Sequence, residues 1–234
     1  MAGDAHVRRA MPRSSSDGNA CLNAHSRPGL AIILTMGLAP RIDYAELAVE
    51  CAATHGTWDA FVRNALLDRW LADYARVSDW QVHPLEIEQG ALTFLFDAGP
   101  TLIEKRLSNG EDRVVAVWGY STAASRARDR RRLAGFLPDT RLWSGAQRDR
   151  GHFVAHAAGG GTDLNLFPQA IGLNRGRTAH GKRWREMEIY AARHTGTPLL
   201  IRPIYDTVSW TPAELDFAIL TAQGLRWERL ANRD

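Results

Sequence analysis

DRGHFVAHAAGGGTDLNLFPQAIGLNRGRTAHGKRWREMEIYAARH, residues 149–194, is the stretch on which the fold turns. His152-Phe153-Val154-Ala155-His156 predicts a short strand. Residues 157–172 carry Gly159, Gly160, Gly161 and Pro168, which predicts a loop. Trp184, Met187, Ile189, Tyr190 and Ala191 then recur at helical spacing, which predicts a helix over about 182–194.

Outward from that stretch the pattern stays mixed. Downstream, 199–205 and 215–220 read as strands. Upstream, Leu92-Thr93-Phe94-Leu95-Phe96 and residues 114–120 read as strands, the second after the turn signal Ser108-Asn109-Gly110. Over 43–79, Leu47, Cys51, Phe61, Ala65, Leu66, Trp70 and Tyr74 repeat every three or four residues. That predicts two helices divided at Gly56, the first capped by Asp43 with Glu46 three residues on. The aromatic stripe reads as core. Residues 1–28 have no hydrophobic period and predict a disordered tail. The expected organisation is therefore a tail (1–28), a helical segment of unassigned role (29–90) and an α+β domain with an antiparallel sheet (91–234).

Composition narrows the class. An apolar fraction of 45% and a charged fraction of 24% fit a soluble globular chain. Only Lys105 and Lys182 among the 29 basic residues are not arginine. Arginine grips phosphate bidentately, so the bias is compatible with a polyanionic ligand, and equally with a GC-rich gene. Arg126, Arg128, Arg130, Arg131, Arg132, Arg141, Arg148 and Arg150 crowd the approach to the quartet at 149–152. Cys21 and Cys51 form no CxxC pair, which indicates neither a disulfide framework nor a cysteine zinc site. The apolar run at 30–39 is about half of the ~20 residues that a membrane span needs. Its Ser- and Asn-rich approach does not suit a signal peptide.

The same central stretch holds the side chains that phosphodiester cleavage requires: a base for water, a cation ligand and phosphate donors. His152 can be the base, because a neutral imidazole accepts a proton near physiological pH. Asn174 and Asn165 offer hard amide oxygens suited to Mg²⁺ or Mn²⁺. Glu188 can accept a hydrogen bond from a water of the cation, and Arg150 and Arg175 can hold phosphate oxygens. Each also has a plain structural reading: a hydrogen-bonded strand histidine, two turn asparagines, and an exposed helix carboxylate.

Asp149-Arg150-Gly151-His152, Asn165-Leu166-Phe167-Pro168-Gln169, Leu173-Asn174-Arg175-Gly176 and Trp184-Arg185-Glu186-Met187-Glu188 follow one another in order, with Asn165 and Asn174 nine residues apart. This set resembles the DNA/RNA non-specific endonuclease family, the ββα-metal nucleases, and in particular the nuclease domains of bacterial polymorphic toxins. The resemblance implies a ββα-metal core and sequence-non-specific hydrolysis of DNA or RNA with Mg²⁺ or Mn²⁺. It implies a toxin or defence role with a cognate inhibitor (immunity) protein as partner. It further implies His152 as general base, Asn174 as direct metal ligand and Asn165 as support at the metal site. Glu188 would hold a water of the cation, and Arg150 and Arg175 would contact phosphate. The match covers roughly 114–220. The chain departs from the pattern in a longer segment over 175–183, and in offering no single counterpart, among 126–132, to the family's further substrate arginine.

Two other readings compete. Zinc bound by His152, His156 and His180 is disfavoured, since residues four apart on a strand lie more than about 10 Å from each other. A non-catalytic module that binds nucleic acid or a partner through the arginine-rich segment leaves the joint presence of His152, Asn174 and Glu188 without a role.

Overall fold

The computed structural model describes residues 7–9, 41–54, 56–78, 81–98, 113–124, 148–207, 209 and 211–233. The fold is α+β, built on an antiparallel sheet with helices on both faces. The strands are β1 (Val7–Arg9), β2 (Pro84–Gln89), β3 (Leu92–Asp97), β4 (Arg113–Tyr120), β5 (Arg148–His152), β6 (Leu166–Ala170), β7 (Pro198–Ile204), β8 (Glu214–Thr221) and β9 (Gly224–Ala231). The seven-stranded sheet has the order β1-β2-β3-β4-β7-β8-β9, and β5 and β6 form a separate two-stranded ribbon. The helices are α1 (Tyr44–Thr54), α2 (Trp58–Phe61), α3 (Leu67–Ala75), α4 (Ile171–Asn174) and α5 (Ala179–Arg193), with a π turn at Val62–Leu66 joining α2 to α3.

Strand register makes two apolar rows. On one face Phe94, Val117, Ile201 and Phe217 lie side by side across four strands. On the other, Trp118, Leu200 and Ala218 do the same, with Trp227 next in line. The first row belongs to a core completed by α5 (Trp184, Met187, Ala191) and by the β5–β6 ribbon. The second belongs to a core completed by Tyr44, Trp58, Phe61, Val62, Leu66, Trp70 and Tyr74 from α1 through α3. Burial on both faces explains why β4 reads as one continuous apolar run rather than an alternation. Each such side chain taken out of water contributes about 1.5–3 kcal/mol.

Charge is buried on the α1–α3 face, and always in company. Asp216 is fully buried and accepts from Tyr44 Oη (2.7 Å) and from Arg229 Nε (2.7 Å). Arg113 is nearly as buried, and donates to Tyr74 Oη and to the carbonyls of Thr207 and Ser209. Pairing offsets a desolvation penalty that a lone ion could not meet.

Several expectations change. Pro84–Gln89 and Leu92–Asp97 form a hairpin turning at Gly90-Ala91, and α1–α3 share their core with the sheet. A division near residue 90 therefore marks no structural boundary. Within 1–28, expected as a tail, Val7–Arg9 pair with β2. The strand expected at 152–156 is instead Arg148–His152 and ends where that one was to begin. The loop expected over 157–172 contains β6 and the first half of α4. The helix starts earlier than 182, because Thr178 caps it by accepting the Gly181 N–H. The turn signal at 108–110 and the arginines at 126–132 lie outside the described residues. No helix among the described residues is long and apolar enough to cross a membrane.

Candidate active site

The ribbon fixes the quartet. β5 pairs antiparallel with β6, setting Asp149 opposite Gln169, Arg150 opposite Pro168, Gly151 opposite Phe167 and His152 opposite Leu166. Proline has no N–H to give, so β6 is tolerated as one strand of a two-stranded ribbon, not in a sheet interior. Phe153 stacks on Phe167 (centroids 4.5 Å apart), Phe167 meets Trp184 edge-on, and Trp184 packs against Phe217 (5.0 Å). That aromatic chain anchors the ribbon to α5 and to the main sheet. Asn232 fastens its other end, accepting the Ala170 N–H and donating to the carbonyls of Pro168 and Pro212.

Asn165 is fully buried and its amide is spent on the backbone. Oδ1 accepts the Val154 N–H at 2.9 Å, and Nδ2 donates to the carbonyls of Val154 (2.8 Å) and Gly161 (2.9 Å). This clamp takes the polar groups of Val154 that a longer β5 would need for its ladder, so the strand stops at His152. It also corrects one expectation. Asn165 fastens the backbone at Val154 and Gly161, and an oxygen already bonded and sealed from solvent does not fit a metal ligand.

Asn174 is different. It is the last residue of α4, half-buried, and its Nδ2 donates to Asp149 Oδ2 at 2.8 Å. Arg175, the next residue, donates through Nε to Oδ2 and through NH2 to Oδ1, both at 2.8 Å. The Arg175 guanidinium holds the Asp149 carboxyl below its ordinary range, partial burial opposes this, and the Asn174 amide adds to the lowering. Among the described residues no hydrogen bond is made to Asn174 Oδ1. An uncommitted amide oxygen is the kind of hard donor that suits Mg²⁺ or Mn²⁺, so Asn174 fits the cation where Asn165 does not.

The structure therefore joins Asp149, Asn174 and Arg175 directly. Arg150 and His152 are half-buried on β5, where strand alternation gives them one side and Asp149 and Gly151 the other. His152 lies three residues from Asp149, a rise of about 10 Å. Glu188 is half-buried on α5, one turn beyond the buried Trp184. α5 is held against α4 by close backbone approach: a Cβ on Gly181 would stand 2.3 Å from the Gly172 carbonyl oxygen.

The other histidines have local partners. His180 Nδ1 accepts the Ala231 N–H at 2.9 Å, and His156 Nδ1 lies 3.3 Å from the Gly160 carbonyl oxygen. Among the described residues no three His, Cys, Asp or Glu side chains gather as a metal-holding group. That counts against the zinc reading and leaves an amide-plus-water site untouched, because asparagine stands outside such a group.

No family model matches the chain, and no curated protein matches it either.

Three residues escaped the sequence reading. Asp149 was visible in the quartet but had no assigned task. Gln169 is fully buried beside it, with both amide atoms unpartnered among the described residues. Asn232 stands alone in the sequence, and nothing near it signals a role.

Proposed function

We propose that the chain is a metal-dependent, sequence-non-specific nuclease, with β5, β6 and α5 as its ββα-metal core. The observation that carries this reading is the hydrogen bond from Asn174 to Asp149. It unites two motif fragments 25 residues apart and, among the described residues, leaves the Asn174 oxygen uncommitted. The strand–strand–helix order of β5, β6 and α5, tied together through Phe167 and Trp184, supports it further.

A divalent cation, when bound, neutralises charge on the scissile phosphate and stabilises the leaving oxygen. Asn174 would hold it through Oδ1. His152 takes the proton of the attacking water at a ring nitrogen. Arg175 and Arg150 donate to phosphate oxygens, and Glu188 accepts a hydrogen bond from water beside them. Contacts confined to phosphate carry no sequence information, which accounts for the lack of specificity.

The test is incubation of the purified chain with supercoiled plasmid and with single-stranded RNA, in Mg²⁺ or in chelator. Strand breaks that require Mg²⁺ support the reading. A retarded but intact plasmid at every Mg²⁺ concentration would replace it with a binding module that uses the arginines.

A further inference from the structure

We propose that Asp149 is a positioning residue that orients two neighbours at once, turning the Asn174 amide oxygen toward a divalent cation and setting the Arg175 guanidinium as a phosphate-facing fork. The inference rests on the nuclease reading above and gives a task to the acidic member of the quartet, which had none.

The argument begins with donor and acceptor chemistry. An ionised carboxylate only accepts hydrogen bonds. The amide group facing it must therefore be the NH₂, and this fixes which way the amide is turned. With Nδ2 held at 2.8 Å from Asp149 Oδ2, the Asn174 oxygen is on the branch directed away from the carboxylate. Without Asp149 nothing in this bond chooses between the two orientations, and an amide turned the other way offers a cation its N–H protons.

The same carboxylate disciplines Arg175. The side chain is 49% exposed and would otherwise sample many rotamers. Asp149 grips it along one edge, through Nε and NH2. That leaves both NH1 protons and one on NH2 free of this pair, on the opposite edge of the guanidinium plane. Asn174 and Arg175 are adjacent at the end of α4, so one carboxylate reaching from β5 sets both relative to the strand that bears His152. Asp149 itself cannot be a phosphate contact. Its negative charge repels phosphate, and three donors already occupy its oxygens. Partners of metal ligands commonly change metal affinity by about 10–100-fold when removed.

The experiment uses the full chain and Mn²⁺, followed by the loss of the free-ion EPR signal, with and without a phosphorothioate duplex that resists cleavage. Duplex affinity is measured separately in chelator. Asp149→Ala should weaken Mn²⁺ binding by about 10-fold or more, and should lower metal-free duplex affinity as far as Arg175→Gln does. Asp149→Ala/Asn174→Ala should bind Mn²⁺ no worse than Asn174→Ala alone, because the carboxylate acts through the amide. Full additivity in the double variant, or wild-type values for Asp149→Ala, overturns the inference. If Asp149→Ala does not fold, Asp149→Asn carries the test. Its one oxygen can replace Oδ2, which accepts from both Asn174 and Arg175 Nε, but its NH₂ then faces Arg175 NH2 in place of Oδ1, so a metal-free duplex affinity that stays at the wild-type value overturns the inference too. A wild-type chain that cleaves and binds Mn²⁺ beside an unaffected Asp149→Ala removes only this inference. A wild-type chain that neither binds Mn²⁺ nor cleaves removes it together with the nuclease reading.

Discussion

Gln169 lies across Gly151: a Cβ placed on Gly151 would stand 2.2 Å from Gln169 Oε1 and 2.4 Å from Gln169 Cβ. The second contact is at the root of the side chain, so rotation of the amide cannot relieve it. Gly151→Ala should therefore destabilise the chain by about 1–3 kcal/mol, the usual cost of overpacking, measured by urea unfolding. Gln169→Met should do the reverse. It exchanges a buried amide with no partner among the described residues for an apolar chain of similar length, and a gain of about 1 kcal/mol is expected. A loss of stability on Gln169→Met would mean that the amide is satisfied in solution by an ordered water.

The two asparagines should separate cleanly. Asn165→Ala leaves the N–H and C=O of Val154 and the carbonyl of Gly161 without their partner. It should cost about 3 kcal/mol or more, at roughly 1–3 kcal/mol per orphaned group, while the folded fraction keeps the wild-type Mg²⁺ requirement. Asn174→Ala should leave the melting temperature nearly unchanged and raise the Mg²⁺ concentration needed for half-maximal cleavage. Wild-type Mg²⁺ dependence in Asn174→Ala would remove the ligand assignment.

For the histidines the expected order is steep. His152→Ala should lower turnover by about 10²–10⁴-fold, the range of general acid–base catalysis. It should also combine non-additively with Asn174→Ala if both serve one phosphate. His156→Ala should be mild. His180→Ala should cost about 1 kcal/mol of stability through the abandoned Ala231 N–H and leave the rate near wild type. A slower His180→Ala with an unimpaired His152→Ala would point to a different base.

Alkaline pH should unfold the chain from the α1–α3 side. Tyr44, Tyr74 and Tyr205 are buried there, and burial raises the pKa of each phenol, with the carboxylates of Asp216 and Asp97 adding to it at Tyr44 and Tyr74. A pKa higher in the folded than in the unfolded chain contributes stability that is complete below the ordinary phenol value of about 10. That stability is lost progressively as pH rises above it. Tyrosinate absorbance from these three should thus appear together with the loss of the circular dichroism signal. Ionisation of all three in a folded chain would contradict the burial argument.

What the sequence made legible, it did through one-sided chemistry. Trp184, Met187 and Ala191 announce α5 because only one flank of that helix is apolar and buried. Asp43 announces α1, and its carboxylate does accept the N–H groups of Ala45 and Glu46. The edge strand β9 was missed because Arg226 and Glu228 interrupt its apolar residues. They pair with Glu186 and Arg183 of α5, a relation visible only once strand and helix meet. β6 was missed because Pro168 signals a break wherever the pairing partner is unknown. Around Asp149, the sequence singles out Asn174 and Arg175 by their donor chemistry and by the resemblance, whereas the clamp at Asn165 depends on a backbone turn at Val154 that no local pattern encodes.

The sheet face formed by Trp118, Leu200 and Ala218 has a consequence for how the ribbon and α5 can travel between genes. A cassette cut at residue 91 would keep β5, β6 and α5, yet it would bare this row to water and leave Asp216 without its Tyr44 partner. Such a fragment would stick to other apolar surfaces before it could act on anything. Recombination that moves β5, β6 and α5 onto a new carrier must therefore bring α1 through α3 along, and a viable fusion joint belongs ahead of Tyr44.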